Sequence, residues 1–148
     1  MDPRLFADGP MGLRDQLLDI PLERRLTYDP DHNALYINFE RLNVRTIQQV
    51  EDIRRHVADK LDHIGRKVFA IVNYDGFQIA TDLVDDYAAM VKGLADAFYW
   101  NAARYSTSGF LRLKLGEALQ KRGVAPHVFE SSEEALKHMQ AIEGGLKA

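Results

Sequence analysis

Cysteine is absent from all 148 residues. That excludes a disulfide framework, thiolate metal sites and a cysteine nucleophile. Histidine is sparse: the five copies are scattered, and no pair has a metal-ligand spacing such as HExxH. Strong charge of one sign is also missing. A net charge of −3 gives no general pull toward nucleic acid or an anionic membrane. No uninterrupted apolar run approaches the roughly 20 residues that span a bilayer. The opening Met1-Asp2-Pro3-Arg4 lacks the apolar core of a signal peptide, so the expected location is cytoplasmic, with no membrane partner. No internal repeat, low-complexity tract or second domain boundary stands out. What is present is ordinary globular composition, 46% apolar and 28% charged. The length suits one domain with a core large enough to fold without staples.

Residues 1–22 read as an N-terminal arm. Gly9-Pro10 punctuates it, Leu13, Leu17 and Leu18 sit at helical spacing, and Pro21 ends the short helix. The domain proper, 23–148, begins with a hairpin. Its strands are Arg25–Tyr28 and Ala34–Phe39, and Asp29-Pro30-Asp31-His32-Asn33 supplies the turn chemistry. Leu35, Ile37 and Phe39 share one face by alternation. Thr46 and Gln49 form a capping box that opens a helix. Ile47, Val50, Ile53, Val57, Leu61 and Ile64 make its apolar stripe, and Gly65 ends it. Val68–Val72 is a continuous apolar run of the kind that is covered on both faces in a parallel sheet. A helix follows from Thr81 to Tyr99, with Leu83, Tyr87, Val91, Leu94 and Phe98 inward. Then come a strand at Ala102–Tyr105 and a helix from Ser108 to Arg122, stopped by Gly123. A strand at Pro126–Phe129 leads to a last helix, with Ser131 and Glu134 as its capping box. Ala135, Leu136, Met139 and Ile142 form that helix's buried side. The order β-β-α-β-α-β-α-β-α predicts an α/β fold, a mixed but mostly parallel sheet of about five strands with helices.

Chemistry has few places to sit. The loop 73–82 leaves the carboxyl end of a central strand, the edge where open α/β sheets bind ligands. Asp75 there suits an acid, a base or a metal ligand, although Asp75-Gly76 is also common turn chemistry and Thr81 suits an N-cap. The segment Arg104-Tyr105-Ser106-Thr107-Ser108-Gly109 joins a second strand end to a helix start. Its hydroxyls, with Arg104 and Arg112, form a candidate phosphate or carboxylate site. Ser108 or Thr107 is equally suited to a plain helix cap. No P-loop and no dinucleotide fingerprint accompanies them. Asp82, Asp85 and Asp86 favour the positive end of a helix dipole and lack the DxDxDG pattern of a Ca²⁺ loop. Phe98, Tyr99, Trp100 and Tyr105 suit either a partner surface or core packing. No nucleophile elbow, GxSxG, is visible.

Several stretches carry a family likeness. They are Gly9-Pro10-Met11-Gly12-Leu13-Arg14, Ile20-Pro21-Leu22, Leu26-Thr27-Tyr28-Asp29-Pro30, Asn38-Phe39-Glu40 and Val44-Arg45-Thr46. With them go Val72-Asn73-Tyr74-Asp75, the run from Thr107-Ser108-Gly109-Phe110 to Glu117-Ala118-Leu119, and Val124-Ala125-Pro126-His127. Together, over nearly the whole chain, they resemble the C-terminal extension of bacterial acyl-CoA:acetate/3-ketoacid CoA-transferases of the propionate type. Those enzymes use a glutamate set among glycine-rich motifs in two large subdomains. Neither Glu-Asn-Gly nor GxGG occurs here, so Glu40, Glu117 and Glu130 are not assigned as nucleophile. The resemblance implies a non-catalytic accessory domain for assembly or regulation. Its partner would be the transferase body or a second copy of the chain. It implies no cofactor of the domain's own, CoA or acyl-CoA entering only through the parent enzyme. The element order also resembles a STAS domain, which implies as an alternative an independent regulatory binding module. The phosphorylated Asp-Ser-Gly of STAS switches is replaced here by Ile79-Ala80-Thr81-Asp82-Leu83, with Thr81 the one hydroxyl near the position. A further alternative is a small acyl-CoA binder or enzyme that uses Asp75 with Arg104, Ser106 and Arg112.

Overall fold

The computed structural model describes residues 20–147. The expected helix around Leu13, Leu17 and Leu18 lies outside them. The strands are β1 (Leu26–Asp29), β2 (Ala34–Asn38), β3 (Asn43–Val44), β4 (Val68–Asn73), β5 (Gln78–Ile79) and β6 (Tyr99–Tyr105). The helices are α1 (Ile47–Ile64), α2 (Val84–Phe98), α3 (Gly109–Lys121) and α4 (Ser132–Lys147). Single 3₁₀ turns occupy Leu22–Arg25 and Thr81–Leu83. Among the described residues no helix is long and apolar enough to cross a membrane.

The sheet is mixed and mostly parallel, in the order β1-β2-β4-β6. β1 and β2 form the antiparallel hairpin, while β2, β4 and β6 run parallel. Alternation along β4 explains its unbroken apolar run. Val68, Ala70 and Val72 join the core under α1, α2 and α3, whereas Phe69 and Ile71 join a second cluster under α4. A strand covered on both faces has no polar position to offer.

Local signals set the best-formed element, α1. Thr46 Oγ accepts the Gln49 N–H at 3.2 Å, and Gln49 Oε1 accepts the Thr46 N–H at 3.0 Å, which completes the capping box. Gly65, at φ +74°, closes the helix in the left-handed region. Val50, Ile53, Val57 and Leu61 are buried along one stripe.

Three expectations change. The strand at Pro126–Phe129 contracts to one parallel bridge between Tyr105 and Phe129, so the main sheet has four strands. β3 and β5, two residues each, pair in parallel as a separate small sheet that local sequence does not announce. Thr81 does not cap α2: it lies in the 3₁₀ turn, Leu83 holds the N-cap position, and no side chain caps there. Asp85 and Asp86 in the first turn supply the negative charge that the helix end favours.

Candidate functional site

The carboxyl ends of β4 and β6 meet where the sequence places its candidate residues. β4 ends at Asn73, whose Oδ1 accepts the Asp75 N–H at 2.9 Å. The Phe77 N–H closes the turn on the Tyr74 carbonyl at 3.1 Å. Gly76 sits at φ +69°, and a Cβ there would lie 3.0 Å from Arg41 Cγ, so the turn requires glycine. Phe77 packs on Tyr74, with ring centroids 5.0 Å apart, and on Tyr87, at 5.5 Å. The Gln78 and Ala80 N–H groups then bond the Leu42 and Val44 carbonyls, both at 2.9 Å. The loop is therefore rigidly held on both sides.

The chain leaving β6 is locked onto that loop. Asp75 Oδ1 accepts the Thr107 N–H at 2.7 Å. Ser106 is wholly buried and its Oγ accepts the Ser108 N–H at 3.1 Å. Ser108 Oγ accepts the Leu111 N–H at 3.2 Å and caps α3. Arg112 donates from one terminal nitrogen to the Ser106 carbonyl at 2.7 Å, and its other lies 3.8 Å from Glu130. Asp75, Ser106, Thr107, Ser108 and Arg112 thus come together as the sequence suggests. The side chains of Asp75, Ser106, Ser108 and Arg112 each hold a neighbouring backbone group, and Thr107 enters through its own N–H.

Arg104 departs from this group. Strand alternation sends Ala103 and Tyr105 toward α4 and turns Arg104 into the opposite core, where it is 3% exposed. There it borders Tyr74, Tyr87 and Tyr99. Burial raises the pKa of the Tyr74 hydroxyl, and that of Tyr87 well above the ordinary tyrosine value; the nearby Arg104 charge opposes the rise in both. The two hydroxyls share a hydrogen bond of 2.8 Å.

Beside the locked junction lies an open groove of about 510 Å³ between residues 76–84 and the start of α3. Its apolar wall includes Phe77, Ile79, Val84 and Leu111, and Thr81 and Ser108 contribute hydroxyls. Arg45 and Lys114 also line it, and neither makes an ion pair among the described residues. Lys114 stands over the Phe110 ring at 5.8 Å. Phe110 is 73% exposed, and Leu113, three residues on, is 61% exposed. Of the candidate residues, Thr81 and Ser108 reach this groove, while Arg45, Lys114 and Phe110 were not anticipated. The available signal was α3 itself. Leu111, Leu115, Ala118 and Leu119 already fill its inner face, which leaves Phe110 and Leu113 as a second apolar face.

The groove contains apolar surface, hydroxyls and cations, with no carboxylate or imidazole in its lining to act as a base. Such a surface holds an anion with an apolar body, or a complementary protein face. Among the described residues no group of His, Asp and Glu side chains is placed to hold a metal ion. No protein-family model, curated protein or solved structure matches the chain.

Proposed function

We propose that the chain is a non-catalytic accessory domain that assists the assembly or regulation of a CoA-transferase-type catalytic body, with the groove face as its contact surface. One observation carries the reading. The polar residues at the carboxyl edge hold loops together, and the open feature beside them is apolar. Asp75 and Arg112 bond backbone groups at 2.7 Å each, while Phe110 and Leu113 stand exposed. Exposed apolar surface rimmed by charge is the usual mark of an interaction site. The family resemblance of the sequence supplies the partner.

Arg45 and Lys114 favour a second reading, in which the groove takes an acyl-CoA, with the acyl chain on Phe77 and Ile79 and the phosphates on the two cations. A phosphoryl group on Thr81 would meet the same cations, the arrangement an independent regulatory module would use.

Size-exclusion chromatography of the chain mixed with the two catalytic subdomains of such a transferase tests the proposal. The expected result is a stoichiometric complex that the double variant Phe110→Asp, Leu113→Asp does not form, with no acyl transfer by the chain alone. Separate elution, or transfer by the isolated chain between acetyl-CoA and propionate, overturns it. Calorimetric titration with CoA, acetyl-CoA and propionyl-CoA addresses the second reading, which requires saturable binding lost in Arg45→Ala, Lys114→Ala.

A further inference from the structure

Arg104 presents a physical problem that the groove does not solve. A buried guanidinium loses hydration worth several kcal/mol, and proteins normally return it through a carboxylate or a full set of hydrogen bonds. Arg104 is 3% exposed, its Nε–H has no hydrogen-bond partner, and it makes no ion pair among the described residues. The groups around it are the hydroxyls of Tyr74, Tyr87 and Tyr99; Tyr74 shares a hydrogen bond with it, and none supplies a negative charge, since burial raises the pKa of all three above the ordinary tyrosine value. The void on the core side of Arg104 is about 10 Å³, room for a single water at most.

On its other side Arg104 forms part of the wall of a second cavity, of about 190 Å³. This cavity opens near the amino half of β6, at the opposite end of the sheet from the groove. Tyr99, Trp100 and Asn101 bound it on the strand, Gly123, Val124 and Ala125 on the loop after α3, and Ala95 and Asp96 at the end of α2, where Lys92 Nζ donates to both Asp96 carboxylate oxygens at 3.0 and 2.8 Å and offsets that charge. It exists because the expected fifth strand contracts to one bridge at Phe129. Among the described residues no strand pairs with the outer edge of β6 before Arg104. A volume of that size admits a ligand of roughly five to ten non-hydrogen atoms.

We infer that this cavity is a binding site for a small oxyanion, a carboxylate or phosphate group, with Arg104 as its counter-charge and Trp100 and Val124 as its apolar walls. The fork of a guanidinium matches two oxygens of either group, and exclusion of water strengthens the pair. The site is independent of the groove and of the accessory role.

Trp100, the single tryptophan of the chain, lies in the cavity wall and reports on it directly. Its emission and the Tm are followed while acetate, butyrate or inorganic phosphate is added at constant ionic strength, with chloride as the control. The expected result is a saturable change in emission and a rise in Tm of roughly 5–10 °C at a hundredfold excess over Kd. A response to acetate and butyrate assigns a carboxylate, and a response to phosphate alone assigns a phosphoryl group. Arg104→Met keeps the apolar stem and removes the charge, and it should abolish the response. Ala125→Phe, at an exposed position on the rim, should weaken binding at least tenfold through obstruction, without touching the core. No saturable response to any of the oxyanions, an equal response to chloride, or an undiminished response in either variant overturns the inference.

Discussion

Gly116 lies on the buried side of α3, and the structure reverses what helix propensity says about it. Replacing a helix-interior glycine by alanine normally stabilises by about 1 kcal/mol. Here a Cβ at Gly116 would sit 2.9 Å from the Pro126 carbonyl oxygen and 3.9 Å from its carbon. The loop has little room to retreat. Two residues beyond Pro126, Val128 is buried, and Phe129 is clamped to β6 by its N–H on the Arg104 carbonyl at 2.6 Å and its carbonyl on the Ser106 N–H at 2.9 Å. Forcing a methyl group into packed backbone costs about 1–3 kcal/mol, enough to cancel or exceed the propensity gain. Gly116→Ala should therefore lose the propensity gain and destabilise by about 0–2 kcal/mol, lowering Tm by up to roughly 8 °C for a chain of this length. Gly93, in α2, is the matched control: it is exposed, and nothing lies within 4 Å of its added Cβ. Gly93→Ala should stabilise by about 0.5–1 kcal/mol. Urea unfolding followed by Trp100 emission and far-ultraviolet circular dichroism measures both. A Gly116→Ala variant stabilised as much as Gly93→Ala refutes the close approach of α3 to the 124–126 loop.

Asp75→Ala removes the acceptor of the Thr107 N–H and should cost about 1–2 kcal/mol, with faster hydrogen exchange at Thr107 as the specific readout. Thr46→Ala breaks the capping box of α1 and should cost about 1 kcal/mol by urea unfolding, with unchanged m. His32 Nδ1 lies 2.7 Å from Asp29; the hydrogen bond raises the pKa of His32 above its usual 6.5 and lowers that of Asp29. The His32 contribution is complete below the unfolded-state value and fades as pH rises through the raised folded one. The Asp29 contribution is complete above its unfolded value and fades as pH falls through the lowered folded one. The stability difference between the parent and His32→Gln should thus be widest in mild acid and close on both sides, as pH-dependent unfolding curves would show.

What the sequence determined by itself is local. The limits of α1 follow from Thr46, Gln49 and Gly65, which act within one turn of their own helix. The two-sided burial of β4 follows from an apolar run with no polar position, and the antiparallel β1–β2 hairpin from the turn residues 29–33. The junction of Asp75 with Ser106, Thr107, Ser108 and Arg112 was legible too, because parallel strands bring their carboxyl ends to one edge. Tertiary structure decided the rest. β3 pairs with β5 across thirty-odd residues through two residues each, too short to carry a pattern of their own. The final strand shrank to a bridge at Phe129, and that opened the cavity beside Arg104. Arg104 left its sequence neighbours because successive residues of a strand face opposite sides, a parity that depends on which face α4 covers. Arg45, Thr81 and Lys114 meet across one groove only because β5 and α3 pack side by side. Capping, turn chemistry and periodicity act between near neighbours in the chain. The company a charged side chain keeps is set by packing among segments far apart in sequence, which no local pattern encodes.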